Sequence, residues 1–410
     1  MRPGDLVQAM PEAVGLSSPG LAHVDAAVQA QIDAGTIPGA VTLVARHGKI
    51  VRVHAMGHKD IASDSPSEID GIYRIFSMTK PITGTAMMML HDEGLWRPED
   101  PIAQHLPELA DLQVFAGEDA AGTQILVAPD HAPTMAELMT HRAGFGYGIA
   151  VGEPGDRIEA LYREAKVLEA DDLGDMVARL ATLPLAYQPG SRWRYSLSMD
   201  VQGAIIERLS GQSLPDFLRT RLFEPLGMID TAFYIAPEKR HRLATLYYKA
   251  GDAPLLPIAN PMRPDPTSEP AFAMGGGGLF STARDYARYA QMLLNGGTLD
   301  GARIVSAAGI QAQMTNRLPA ELLETRFTAG HHKFRPGFGY GYNGVVFTDP
   351  ALAGVPVGTG TYHWDGAAGT WFWVDPENDL LFVGMTQFLS YTAPPLQATT
   401  QALVGAAILR

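Results

Sequence analysis

Ser77 and Lys80 stand three residues apart at the start of the apolar run YRIFSMTKPITGTAMMML (73–90), and Pro81 follows directly. Proline is tolerated in the first turn of a helix, where backbone N–H groups have no partner within the helix, so Pro81 predicts that a helix begins close to Ser77. Residues i and i+3 share a helix face, so the hydroxyl and the amine should point the same way. This pairing is typical of a serine nucleophile with a nearby base.

The predicted helix start adds two chemical effects to this pair. Free N–H groups at a helix N-terminus can polarise a carbonyl oxygen, and the positive end of the helix dipole favours a neutral amine. Lys80 is the one lysine of the sequence with a serine three residues before it. From these two residues alone, a helix cap followed by a solvated lysine stays open as the alternative.

A serine–histidine–aspartate triad has no anchor in this sequence. A G-x-S-x-G nucleophile elbow is absent, since its nearest approach, GQSLP (211–215), ends in proline and follows a predicted helix. Twelve histidines make chance His/Asp neighbours available, but no carboxylate stands at ligand spacing from a histidine pair. We therefore expect no metal site and no cofactor, and the Ser77/Lys80 pair remains the candidate for catalysis.

Composition excludes several classes of protein. The chain of 410 residues carries a net charge of −13, which disfavours nucleic-acid binding because a phosphate-binding surface needs a basic stripe. No stretch resembles a membrane span or a secretory signal, so we expect no membrane partner. The sequence has no cysteine, which is in keeping with a cytoplasmic location.

Strand patterns lie at both ends of the chain. A hairpin is predicted over GAVTLVARHGKIV (39–51), and further strands are predicted between residues 362 and 387, whereas the middle of the chain reads as short helices with proline-rich connections. Ser281 is the expected N-cap of a helix over 285–294. The pattern predicts an α+β fold, with residues 1–95 and 255–410 forming an antiparallel sheet domain flanked by helices and residues 96–254 an inserted, mostly helical domain. The active site is expected in the cleft between them.

Three motifs resemble those of a known family in order and spacing. SMTK (77–80), YSL (195–197) and HWDGAAGT (363–370) resemble the motifs of the serine hydrolases related to class C β-lactamases and penicillin-binding proteins. The sequence is most similar to the branch called family VIII carboxylesterases, including the segments LMTHRAG (138–144) and PGSRWRYSL (189–197). The resemblance runs from about residue 16 to the end of the chain and implies a β-lactamase/transpeptidase-like fold.

The resemblance also implies roles for individual residues. Ser77 is expected to be the acyl-forming nucleophile, with Lys80 and Tyr195 transferring its proton as a coupled pair in which either is the formal base. The backbone N–H groups of Ser77 and Ala367 are expected to bind the oxyanion. Gly366 is needed beside them because a side chain would crowd the substrate carbonyl.

The expected substrate pocket contains Trp364, Asp365, Gly366, Tyr147 and Leu197. Where β-lactamases offer a lysine or histidine, then threonine and glycine, this sequence has an aromatic residue and an acid, and Asp365 should repel a substrate carboxylate. Leu197 replaces the usual asparagine and so removes a hydrogen-bond donor. Both departures favour a neutral, apolar acyl ester.

The sequence therefore predicts a serine carboxylesterase that hydrolyses small, short-chain acyl esters without a cofactor. One alternative is a β-lactamase or a peptidase or amidase acting on D-amino acids with the same catalytic set. Another is a non-catalytic sensor that keeps the penicillin-binding fold. The expected partner is a small-molecule ester, and a homo-oligomer is compatible with the sequence.

Overall fold

The computed structural model describes residues 6–149, 156–260, 263, 265–323, 328–329, 332–333, 336–390 and 393–409. Its α-helices are α1 (Ser18–Asp33), α2 (Thr79–Asp92), α3 (Met135–Met139), α4 (Arg157–Glu164), α5 (Leu173–Leu180), α6 (Ser198–Ser210), α7 (Leu214–Leu218), α8 (Glu224–Leu226), α9 (Ala283–Leu294), α10 (Ala307–Met314), α11 (Ala320–Leu323), α12 (Pro350–Ala353) and α13 (Leu396–Ala406).

The strands of the described residues fall into one large sheet, one three-stranded sheet and several short pairs. They are β1 (Gly39–Arg46), β2 (Lys49–Asp60), β3 (Ser65–Pro66), β4 (Tyr73–Arg74), β5 (Val114–Glu118), β6 (Gln124–Val127), β7 (Tyr247–Lys249), β8 (Leu256–Pro257), β9 (Phe280–Ser281), β10 (Thr298–Leu299), β11 (Ala302–Arg303), β12 (Thr328–Ala329), β13 (His332–Lys333), β14 (Phe338–Tyr340), β15 (Val345–Phe347), β16 (Tyr362–Asp365), β17 (Trp371–Asp375), β18 (Leu380–Met385) and β19 (Phe388–Ser390).

The large sheet joins the two ends of the chain. Its strand order within the described residues is β14-β15-β16-β17-β18-β1-β2-β3, and neighbouring strands are antiparallel. The predicted hairpin forms β1 and β2, and its turn residues His47 and Gly48 have φ angles of 51° and 71°, as hairpins with a tight two-residue turn require. The predicted fold class, an antiparallel sheet flanked by helices with mixed α and β content, is confirmed.

Both faces of the sheet are buried along its central strands β17, β18 and β1, and the period of two along each strand divides the side chains between the two faces. On β17, Trp371 and Trp373 belong to the core under α1 and α13, together with Leu21 and Val404. Phe372 on the same strand belongs to the other core, which lies under α2 and α9. The sheet therefore separates one helical layer from another.

Helix α2 lies at the centre of the molecule. Every residue from Thr79 to Leu90 is buried, and the helix packs against α6 and α10. Pro81 lies in its first turn as the sequence predicts, and Gly94 (φ 73°) follows its C-terminal end. A helix buried on all sides presents its first turn in a fixed direction, which matters for the chemistry at Ser77.

The middle of the chain contains the short helices α3 to α8 and, in addition, the hairpin β5–β6, which the sequence analysis did not anticipate. The boundaries of the two proposed domains at residues 95 and 255 stay a prediction. Within the described chain, no helix has both the length and the apolar character that crossing a membrane requires.

The predicted N-cap of α9 is wrong by one residue. Thr282, not Ser281, caps the helix, because its side chain accepts a hydrogen bond from the N–H of Asp285. The Ser281 hydroxyl lies 2.8 Å from that of Thr231 instead. Both residues can cap a helix, so the choice depends on a contact that only the fold provides.

Candidate active site

Ser77 lies in a strained turn at the entrance to α2. The preceding Phe76 has a φ angle of 43°, which is unusual for a residue with a side chain. Two buried hydroxyls hold the backbone on either side of the turn: Tyr286 donates to the carbonyl of Met78 (2.8 Å) and Thr370 donates to that of Ile75 (3.2 Å). The turn leaves Ser77 partly exposed while its neighbours are fixed.

The structure brings the three predicted catalytic side chains together. Ser77 Oγ lies 2.6 Å from Tyr195 Oη and 3.2 Å from Lys80 Nζ. Lys80 Nζ also lies 4.6 Å from the centre of the Tyr195 ring. Tyr195 lies in the turn before α6, 118 residues after Ser77 in the sequence. The hydroxyl of Ser77 thus has two candidate proton acceptors within hydrogen-bonding distance.

Lys80 is fully buried, and burial lowers the pKa of its amine to about 7. The carboxylates of Asp200 and Asp365 act in the opposite direction and keep the pKa from falling further. Besides Ser77, the amine contacts the carbonyl oxygen of Gly276 (2.7 Å) and the hydroxyl of Tyr147 (3.0 Å). A substantial fraction of Lys80 is therefore uncharged at neutral pH.

Burial has the opposite effect on Tyr195, because it disfavours the phenolate. It raises the pKa of the phenol above its ordinary value, and the carboxylates of Asp365 and Asp200 add to the rise. Hydrogen bonding to Ser77 and Trp364 lowers the pKa but does not offset burial. Tyr195 is therefore a neutral phenol at physiological pH, whose proton is available for donation.

Asp200 is a carboxyl group of the site that the sequence analysis missed. It is fully buried on α6, and its Oδ1 accepts a hydrogen bond from the N–H of Gly276 (3.0 Å). Gly276 thus connects Asp200 to Lys80, since its carbonyl accepts the hydrogen bond from the amine. Oδ2 of Asp200 has no hydrogen-bond partner among the described residues. Burial raises the pKa of the carboxyl, and the nearby Lys80 lowers it.

The four-glycine run 275–278 makes this contact sterically feasible. A Cβ on Gly275 would lie 2.4 Å from the carbonyl oxygen of Met199, and one on Gly276 would lie 2.8 Å from Asp200 Oδ2. Only glycine lets the backbone approach α6 so closely. The sequence could indicate close packing here, but not the hydrogen bond to Lys80.

Glu159 fixes two parts of the site from α4. Its buried carboxylate accepts hydrogen bonds from the N–H groups of Tyr147 (3.1 Å) and Gly148 (2.7 Å). It also forms an ion pair with Arg194 (2.7 Å), the residue before Tyr195. Glu159 therefore positions the loop that carries Tyr147 and the turn that carries Tyr195, and no local sequence pattern pointed to it.

His141 packs directly against Tyr195, with the two ring centres 5.0 Å apart. It is 1% exposed, and its Nδ1 accepts a hydrogen bond from the N–H of Ser196 (3.2 Å). Burial and the nearby Lys80 hold its pKa well below the ordinary value, so the ring is neutral. His141 supports the Tyr195 ring and makes no hydrogen bond to Ser77.

The turn between β16 and β17 lies against the nucleophile turn. A Cβ on Gly366 would lie 2.3 Å from the carbonyl oxygen of Ile75, so glycine is required there for a reason the sequence analysis did not give: contact with the protein's own backbone. Ala367 follows and is exposed. That its N–H and the N–H of Ser77 bind an oxyanion stays a prediction.

The predicted pocket residues lie in different places. Trp364 is 2% exposed and packs against Tyr195, with ring centres 5.9 Å apart. Tyr147 contacts Lys80, whereas Leu197 is fully buried and donates its N–H to the carbonyl of Gly146. Asp365 lines a cavity of about 620 Å³ with Gly366 and Ala367. The contribution of these residues to substrate binding stays a prediction.

The described residues contain no group of three or more histidine, aspartate or glutamate side chains that could hold a metal ion. The side chains at Ser77 are a hydroxyl, an amine, a phenol and carboxylates. These groups suit proton transfer and nucleophilic attack on a carbonyl carbon.

Comparison with known proteins agrees with this geometry. A model of the Beta-lactamase family matches residues 24–406. The chain belongs to the β-lactamase family. The resemblance to the β-lactamase-related serine hydrolases and their family VIII esterases, drawn from the three motifs, is thereby confirmed.

Relatives of this β-lactamase-family protein match over most of their length. Esterase EstB of Burkholderia gladioli is 32% identical over 383 residues, 88% of this chain and 89% of that protein. An uncharacterized protein of Mycobacterium tuberculosis is 38% identical over 367 residues, 88% of each chain. The solved structure of EstCE1, described as a hydrolase with promiscuous acyltransferase activity, has a TM-score of 0.76 at 25% identity and covers 96% of this chain and 99% of its own.

Proposed function

We propose that this protein is a serine carboxylesterase that hydrolyses neutral acyl esters through an acyl-enzyme at Ser77. The observation that carries the proposal is the position of Ser77 Oγ, 2.6 Å from the phenol of Tyr195 and 3.2 Å from the amine of Lys80. The relatives named esterase and hydrolase support ester hydrolysis as the reaction class. The small-molecule ester and the cytoplasmic location belong to the same proposal.

In acylation, Lys80 is the base. A neutral amine has two N–H donors and one lone pair. The carbonyl of Gly276 and the hydroxyl of Tyr147 take the two donors, which leaves the lone pair for the proton of Ser77. As that proton moves to Lys80, Ser77 Oγ forms a bond to the ester carbonyl carbon. The negative charge on the carbonyl oxygen is stabilised by the N–H groups of Ser77 and Ala367.

Tyr195 completes this step as the acid. When the bond between the carbonyl carbon and the alkoxy oxygen breaks, the phenol gives its proton to the departing alcohol and recovers one from the Lys80 ammonium. Deacylation reverses the roles: water attacks the acyl carbon as its proton passes to the Tyr195 oxygen and the phenol proton passes to the Lys80 amine. The Lys80 ammonium then protonates Ser77 Oγ as the bond between Oγ and the acyl carbon breaks. The sum is ester plus water to acid plus alcohol.

The single test is chemical labelling of the nucleophile together with its removal. Ser77→Ala should lower kcat/KM on para-nitrophenyl acetate by at least about a thousandfold, and an active-site phosphonate should label Ser77 in the wild-type protein. Ser63→Ala, at an exposed turn serine, is the control and should keep the wild-type rate. Retention of most of the activity in Ser77→Ala, or labelling of another serine, would reject the proposal.

A β-lactamase or D-amino-acid peptidase activity is the second candidate, because the family match carries the name Beta-lactamase. Asp365 beside Gly366 and Ala367 disfavours the carboxylate that such substrates carry. Turnover of a cephalosporin at a rate rivalling ester hydrolysis would favour this candidate. A burst of one product equivalent without further turnover would favour the non-catalytic sensor.

A further inference from the structure

A cavity of about 620 Å³ lies on the face of β16 opposite Ser77. Side chains alternate along a strand, so Trp364 packs against Tyr195 on one face while His363 and Asp365 line the cavity on the other. The cavity extends between the sheet and the first turns of α13. Its volume is within the range of about 300–1,000 Å³ that small-molecule sites occupy.

The walls of the cavity are largely apolar and aromatic. They include side chains from four strands of the described structure and from α13: Phe338, Val345, Phe347, Trp371, Phe388 and Leu396. Such walls favour an apolar guest, because transferring apolar surface from water into them is favourable.

Two amide side chains on α13 give the cavity polar groups that lack partners. Gln401 is 2% exposed, lines the cavity, and its Nε2 has no hydrogen-bond partner among the described residues. Oε1 of Gln397 also has no hydrogen-bond partner among the described residues, whereas its Nε2 lies 2.5 Å from Nδ1 of His363. An unpaired buried polar atom is destabilising, and a ligand with a hydrogen-bonding group would remove that cost.

The cavity approaches the catalytic site at the β16–β17 turn, although none of the three proposed catalytic side chains lines it. Gly366 and Ala367 line the cavity, and Gly366 also lies against the carbonyl of Ile75, two residues before Ser77. In the proposed mechanism the alkoxy oxygen of the ester faces Tyr195, which protonates it. The acyl substituent then points away from Tyr195 and past Ala367, toward the cavity.

We infer that this cavity is the acyl-binding pocket of the enzyme, and that it takes a neutral aryl or branched acyl group with one hydrogen-bonding substituent. The inference rests on the proposed function for the placement of the ester carbonyl. Asp365 at the edge of the cavity disfavours acyl groups that carry a negative charge. An acyl pocket of this size extends the predicted substrate range from short acyl chains to bulky acyl groups.

A pair of tryptophan substitutions on α13 tests the pocket. Ala398 is exposed and lines the cavity, whereas Ala402, one turn further along the helix, is exposed and does not. Ala398→Trp should lower the ratio of kcat/KM for para-nitrophenyl hydrocinnamate to that for para-nitrophenyl acetate by about tenfold or more. Ala402→Trp should leave the ratio unchanged. An unchanged ratio in Ala398→Trp would overturn the inference.

Varying the alcohol instead of the acyl group tests the orientation. With acetate as the acyl group, the ratio of kcat/KM for the benzyl ester to that for the methyl ester should be the same in Ala398→Trp as in the wild type. A selective loss on the benzyl ester would place the alcohol in the cavity and overturn the acyl assignment.

Gln401→Leu, which keeps a similar volume, tests the polar group. The wild-type enzyme should have a higher kcat/KM for para-nitrophenyl para-acetylbenzoate than for the para-ethylbenzoate. In the variant, the ratio of the two kcat/KM values should be about tenfold lower. Preservation of the preference would show that Gln401 does not bind the acyl group. The thermal midpoint of the variant reports separately whether it folds.

A binding experiment separates this inference from the proposed function. Hydrocinnamamide, which is not an ester, should bind to Ser77→Ala in calorimetry, and Ser77→Ala combined with Ala398→Trp should bind it at least about tenfold more weakly. Equal binding by both proteins would reject the pocket even if the enzyme is an esterase. If Ala398→Trp weakens binding but the wild type hydrolyses no ester, the binding pocket would be supported and the proposed function rejected.

Discussion

Lys80 has to be uncharged to accept a proton, yet an ordinary lysine is protonated at neutral pH. Burial resolves the conflict by lowering its pKa to about 7, while Asp200 and Asp365 limit the fall. The phenols of Tyr147 and Tyr195 also face the amine, and burial keeps both protonated. Among these three groups, the amine is therefore the one that titrates near neutrality.

The pH dependence of hydrolysis follows from this assignment. In the proposed mechanism the neutral amine is the base, so kcat/KM should rise with pH, with a midpoint near the Lys80 pKa of about 7, and then level off. Initial rates on para-nitrophenyl acetate, corrected for spontaneous hydrolysis, measure the profile. A flat profile from about pH 6 to 9 would contradict the role of Lys80 as base.

Asp200→Asn should move that midpoint to lower pH. The carboxylate of Asp200 favours the charged amine, so its removal lowers the pKa of Lys80 further, while the amide can still accept a hydrogen bond from Gly276. Glu207→Gln removes a carboxylate from the same helix and is the control. Equal midpoints in wild type and Asp200→Asn would show that Asp200 acts only through packing.

At the scale of elements, α4 acts on the site through Glu159. The carboxylate holds the loop at Tyr147 and, through Arg194, the turn at Tyr195. Glu159→Gln removes one of the two carboxylates that pair with Arg194, which keeps its ion pair with Asp156. The variant should therefore lower stability by about 1–3 kcal/mol and reduce kcat. Urea unfolding and steady-state kinetics measure the two effects.

The same helix provides the control for Glu159. Glu164 pairs with Arg157 at the surface, so Glu164→Gln should change stability by less than about 1 kcal/mol and leave kcat unchanged. If Glu159→Gln behaved like Glu164→Gln, the proposed positioning of both tyrosines by α4 would be wrong.

Short sequence patterns predicted the start of α2 and the first hairpin, because both are determined by residues within a few positions of each other. Pro81 placed the start of α2, and His47-Gly48 placed the first hairpin. Thr282 and Ser281 can both cap a helix, and the structure distinguishes them because the Ser281 hydroxyl contacts Thr231 instead. The β5–β6 hairpin has strands that are partly exposed and weakly patterned, which explains why it was missed.

At the scale of the whole molecule, the site is assembled from distant segments. Ser77 and Tyr195 are 118 residues apart, Lys80 and Gly276 are 196 apart, and Thr370 reaches Ile75 across 295. The proposed catalytic residues could be inferred because they stand in motifs that resemble a known family. Asp200 and Glu159 stand in no such motif, and their roles follow only from contacts made by folding.

The burial of Lys80 destabilises the fold, and the pH dependence of stability should reveal it. The amine has a pKa of about 7 when folded and an ordinary value of 10.5. Between these pH values the unfolded chain binds a proton that the native protein does not, so stability rises with pH across this window. Below about pH 7 both states are protonated, and the full penalty of burial is present.

Lys80→Met removes this titration. The difference in free energy of unfolding between the wild type and Lys80→Met should therefore change in favour of the wild type by a few kcal/mol between about pH 7 and 10.5. The expected size is about 1.4 kcal/mol per unit of pKa difference. Urea titrations of both proteins at a series of pH values measure the gap. Lys166→Met, at an exposed lysine, should show a constant difference from the wild type. If the gap for Lys80→Met were equally constant, Lys80 would have the same affinity for a proton in the folded and unfolded protein, and a neutral amine could not be available to Ser77 near pH 7.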